Sequence, residues 1–166
     1  MTRINTNFFK SFLLIREYSC RFVAKNQVFI QRGGENMDLG KKNIKFGFLW
    51  ITLATFLGFI LAIKLQTGGE EWQKSPVHMY WRTAHVHANT LAILNILYGL
   101  FIGRVGLGDG AKNLGSNLAL AGMVLMPLGL FLVPFLQPIG YLIPIGEWCI
   151  IISMGMMAAG AFKSIN

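Results

Sequence analysis

Charged and apolar positions fall in long blocks along this chain, not at a short period. Phe46–Ile63 is a run of eighteen uncharged residues between Lys45 and Lys64, and Thr83–Gly103 is a run of twenty-one between Arg82 and Arg104. Between Lys112 and Glu147, thirty-four consecutive residues carry no charge. Pro134, Pro138 and Pro144 divide that stretch, because a proline ring cannot sit inside a regular helix without losing a backbone hydrogen bond. The pattern predicts four helices, near 46–65, 83–103, 114–135 and 141–162. At about 1.5 Å of rise per residue each crosses a hydrocarbon core of about 30 Å, with flanking lysines snorkelling. The expected fold is all-α: a polytopic membrane protein built as a four-transmembrane-helix bundle. Trp50, Trp72, Tyr80, Trp81, Tyr141 and Trp148 lie at or near span ends, where amphipathic rings meet the interface.

Composition supports this. Of 166 residues, 54% are hydrophobic and 13% charged, against about 25% charged in soluble domains. The mean hydropathy is +0.51. The net charge of +8 is not a nucleic-acid footprint, because its lysines and arginines flank apolar runs, where they orient helices. Six of the fifteen precede Met37. Residues 1–36 read as a basic N-terminal extension, and residues 37–166 as the membrane domain. Two readings of the extension stand: a basic amphipathic segment on the membrane surface, or upstream sequence before a true start at Met37, whose Asp38, Lys41, Lys42 and Lys45 lead directly into the first span. Lys41, Lys42, Lys45, Arg104, Lys112 and Lys163 lie on one side of the bilayer and Lys64, Lys74 and Arg82 on the other, so both ends of the core are expected in the cytoplasm.

The second span puts polar side chains where lipid disfavours them: His85, His87, Asn89 and Asn95, with Tyr98 beyond. His85 and Asn89, four apart, share a helix face, whereas His87 and Tyr98 share nearly the opposite one. Two histidines two residues apart point about 200° away from each other, so a regular helix cannot offer both to one metal. One imidazole can hold a haem iron while its other nitrogen is fixed by a hydrogen bond. Proton or substrate handling is a second reading, and hydrogen bonding to loops, headgroups or neighbouring helices a third. Glu147 is either an acid favoured by the free N–H groups of a helix's first turn or a partner for Arg82 or a histidine. Cys20 and Cys149 show no CxxC spacing, and Gly103, Gly106, Gly108 and Gly110 read as a loop, not a phosphate cradle. Gly155, Ala158, Ala159 and Gly160 give the fourth helix a smooth face suited to close packing or oligomer contacts.

Four features carry a resemblance to a known family: a short lead into the first span, the stretch Trp81-Arg82-Thr83-Ala84-His85, the entry Leu114-Gly115-Ser116 to the third helix, and Gly146-Glu147 after a Pro- and Gly-rich loop. Together, from Met37 to about Lys163, they resemble the styrene-oxide-isomerase-like family of small haem-binding bacterial membrane proteins. The resemblance implies a bacterial inner-membrane protein, a four-helix protomer in a homotrimer, haem b, and a small apolar oxygenated ligand. Its axial histidine matches His85, or His87 if the helix is offset by two positions. Asn89 joins the two histidines as a cofactor-binding residue, and Asn89, Asn95 and Tyr98 are the candidates for catalysis. The family's catalytic asparagine, aspartate and tyrosine fall on Leu91, Ala121 and Gly129, so isomerase chemistry is expected to be weak. The leading function is a haem-b-binding membrane protein acting on a small apolar substrate or serving as a redox or sensing centre. The alternative is a non-haem transport or assembly component whose polar positions join helices.

Overall fold

A computed structural model describes residues 40–165; the readings placed on the N-terminal extension, on Met37 and on Cys20 lie outside the described residues. Among the described residues, four helices are long and apolar enough to cross a membrane. Helix α1 is Gly40–Thr67, followed by the short α2, Gly69–Lys74. Then come α3, Pro76–Phe101, α4, Asp109–Leu132, and α5, Leu142–Ile165. Helices α1, α3 and α4 begin before the expected spans, since a helix continues past the hydrocarbon boundary wherever its caps allow, while α3 and α4 end at Phe101 and Leu132, two and three residues short of the expected ends. Helix α3 begins with Ser75 as N-cap, its hydroxyl accepting from the His78 N–H, and with Pro76 at the first position, where no N–H is needed. Pro134 and Pro138 fall in the turn between α4 and α5, and Pro144 in the first turn of α5.

Small residues set the spacing of the bundle. Gly40, Gly47 and Ala54 recur every seventh residue on α1 and face α3. A Cβ on Gly40 would stand 2.0 Å from the Gly99 carbonyl oxygen. On α4, Gly115, Gly122 and Gly129 form a second heptad series, meeting Tyr98 of α3 and then Ile150 and Ile143 of α5. Seven-residue spacing of small side chains brings long helices close at a shallow crossing angle. On α5 the expected smooth face is divided. Gly160 packs on Leu107 and Val105, whereas Gly155 has open space around it and Ala158 and Ala159 are exposed.

With lipid outside, apolar packing alone does not favour protein over bilayer, and buried hydrogen bonds help select the helix partners. Asn43, Asn95 and Ser116, all 0% exposed, join α1, α3 and α4. The Asn43 Nδ2 donates to Asn95 Oδ1 at 3.0 Å and to the Ser116 carbonyl at 3.2 Å. Ser116 Oγ donates to Asn43 Oδ1, and Asn95 Nδ2 donates to the Ala119 carbonyl at 3.0 Å. Lys42 extends the join with bonds to Asn113 (2.8 Å) and Asn117 (2.6 Å). At the opposite end the fastening is aromatic: Trp81 stacks on Phe131 with ring centroids 4.7 Å apart, and Trp72 of α2 meets Trp81 edge-on.

Candidate functional site

The polar residues of the second expected span all lie on α3, and they go to different places. His85 faces α1. Its Nδ1 lies 2.8 Å from the Ala54 carbonyl oxygen, which can only accept, so Nδ1 carries the proton. Its ring edge fills the space left by Gly58. Asn89, one turn on, donates from Nδ2 to the His85 carbonyl at 2.9 Å and lies 3.2 Å from His85 Nδ1. Asn95 belongs to the buried join already described. Tyr98 is 2% exposed, with its hydroxyl turned toward Gly115. Of these, His85, Asn89 and Asn95 are hydrogen-bonded between or along helices, whereas the buried Tyr98 hydroxyl has no hydrogen-bond partner among the described residues.

His87 points elsewhere. Its Nδ1 lies 2.9 Å from the Thr83 carbonyl of its own helix, so it too is protonated at Nδ1 and keeps a lone pair on Nε2. It lines a groove of about 510 Å³ with Gln73, His78, Met79, Arg82, Thr83 and Val86. The groove follows from helix periodicity: Met79, Thr83, Val86 and His87 fall on one stripe of α3, and α2 folds back to add Gln73. His78 is held by a contact between Nδ1 and the Gln73 carbonyl at 3.1 Å, and by its ring against Trp72 at 5.7 Å. The described lining thus holds two imidazoles and a guanidinium, with no carboxylate.

The expected separation of His85 from His87 is what the helix delivers: one imidazole goes to a neighbouring helix and the other to a groove. His78 was not singled out from sequence, because it precedes the apolar run; it lies one turn before Arg82 on α3 and lines the groove with it. Asn43 was missed for a similar reason. It follows Lys41 and Lys42 and looks like part of a solvated lead, yet it is fully buried. Glu147 is the sixth residue of α5, beyond its first turn, and it is exposed; no ion pair joins it to Arg82 among the described residues. Leu91 and Gly129 are buried in helix contacts and do not line the groove. No group of three or more metal-ligating side chains occurs among the described residues.

No family model, no curated protein and no solved structure matches the chain.

Proposed function

We propose that this polytopic, all-helical membrane protein binds haem b in the groove on α3, with His87 as the axial ligand and His85 as a helix-joining residue. The observation that carries the reading is His87 itself. Its Nδ1–H is spent on the Thr83 carbonyl, which fixes the tautomer and leaves Nε2 available in a groove of about 510 Å³. A metal-bound histidine characteristically has its second nitrogen held in this way. The rest of the lining fits the group: Met79 and Val86 offer apolar surface to a macrocycle, and Arg82 and His78 offer cationic or donor groups to its carboxylates. When bound, haem supplies Lewis-acid or redox chemistry and a coordination position open to a small apolar ligand.

The chain's own residues would bind and orient the group, and the described lining holds no carboxylate. The resembled isomerases place polar groups where this chain has Leu91, Ala121 and Gly129, so haem binding is proposed here without efficient isomerase turnover. Met79 and Val86 are exposed on this face of α3, and a homo-oligomer such as a trimer would cover it. A second reading, a non-haem assembly component, is favoured by the engagement of His85, Asn89 and Asn95 in contacts along or between helices. The absorption spectrum of the purified protein separates the two. A Soret band in proportion to protein supports haem; its absence after expression with ample haem supports the assembly component.

A further inference from the structure

At the end of the bundle where α1 begins and α5 ends, a second groove of about 490 Å³ runs between α3 and α5. Leu94, Leu97 and Phe101 form one wall, and Met154 and Met157 the other. Arg104 lines it at the end of α3, with its guanidinium 5.6 Å from the Phe101 ring centroid. No ion pair of Arg104 occurs among the described residues. An apolar trough with a cation at one end calls for an amphipathic anion.

The length identifies the occupant. Leu94 is ten residues from Arg104, and Met154 ten from Ser164, so both walls run about 15 Å along their helices. That is half of a hydrocarbon core of about 30 Å, the depth of one leaflet. A packed helix from a second copy would need a face along the whole span, whereas an acyl chain anchored at its own headgroup ends at mid-membrane. An exposed cation at the mouth selects an anionic headgroup over a zwitterionic one, and basic pockets between transmembrane helices recognise lipid phosphates in this way. We infer that this groove holds an acyl chain of an anionic glycerophospholipid, with its phosphate at Arg104. The site stands apart from the haem reading, shares no lining residue with the first groove, and can be tested with or without haem.

The test uses the full chain reconstituted in vesicles of phosphatidylcholine containing a minority of phosphatidylglycerol, extracted in mild detergent and weighed by native mass spectrometry with its retained lipid. The wild-type protein is expected to retain phosphatidylglycerol in preference to the more abundant phosphatidylcholine. Arg104→Gln should lower that retention by about fivefold, the factor given by ~1 kcal/mol per basic residue at a headgroup. Leu97→Trp, which fills the trough from its lipid-facing wall, should lower it with Arg104 intact, and Met157→Trp should do the same from the opposite wall. Unchanged retention in Arg104→Gln would overturn the proposal. So would a loss confined to Arg104→Gln with both tryptophan variants at the wild-type level, because that outcome describes a surface charge attracting lipid without a groove.

Discussion

His85 occupies the space that Gly58 leaves empty: a Cβ added to Gly58 would stand 2.4 Å from the imidazole Cε1. Alanine at 58 should therefore push the ring off α1, away from the Ala54 carbonyl. Overpacking of this kind costs typically about 1–3 kcal/mol. Thermal unfolding in detergent of Gly58→Ala, His85→Ala and the double variant measures the contact directly. The double variant should be less destabilised than the sum of the singles, because removing the ring removes the clash. Strict additivity would show that the two side chains do not meet.

The two histidines should differ in haem binding. His87→Ala is expected to lose the Soret band while inserting normally, and added imidazole should restore it by filling the vacated coordination position. His85→Ala should keep the band and lose stability. Loss of the band from His85→Ala alone would return the axial role to His85 and reduce His87 to a residue hydrogen-bonded to its own helix.

Asn43→Ala and Asn95→Ala each break a fully buried join and strand its partners. In proteins the cost of an unpaired buried group is about 1–3 kcal/mol; in bilayers side-chain pairs average about 0.6 kcal/mol, because the separated helices find other partners. Denaturation in mixed micelles should give values within that range for both variants. Asn89→Ala, whose partners lie on its own helix, should cost less than either.

Styrene oxide should be converted slowly, even by haem-loaded protein. Leu91, Ala121 and Gly129 have no hydrogen-bonding side chain, and loss of one well-placed donor costs about 2.7–4 kcal/mol of transition-state stabilisation, or roughly 100- to 1,000-fold in rate. Phenylacetaldehyde formation by membranes containing wild type and His87→Ala checks this. Rapid turnover dependent on His87 would show that other groups in the groove had taken over those roles.

The four spans were legible because burial in lipid demands long uncharged runs, and Lys45, Lys64, Arg82, Arg104 and Lys163 mark their ends. Periodicity also separated His85 from His87 correctly. It could not say which neighbour each one met, since that depends on Gly58 of another helix and on α2 turning back at Ser75. The small residues of α5 suggested a packing face, yet Gly155, Ala158 and Ala159 face outward, and it is the heptad glycines of α4 that pack. A small residue shows only that close approach is permitted; the side chains across the seam decide whether it happens. Asn43 escaped notice because charge beside it suggested water, while Lys42 bends toward Asn113 and Asn117 and leaves Asn43 to the interior.

The Asn43–Asn95–Ser116 join has a consequence for the order in which the protein is made. Asn43 and Asn95 lie on α1 and α3, and the 3.0 Å bond between them can form as soon as α3 has left the ribosome. Ser116 and the Ala119 carbonyl arrive only with α4, and they fill the donor and acceptor capacity that the asparagine pair still has. The early hairpin thus carries its own provisional partner for each buried amide. The newborn chain can wait in the bilayer for its third helix without two bare carboxamides exposed to lipid.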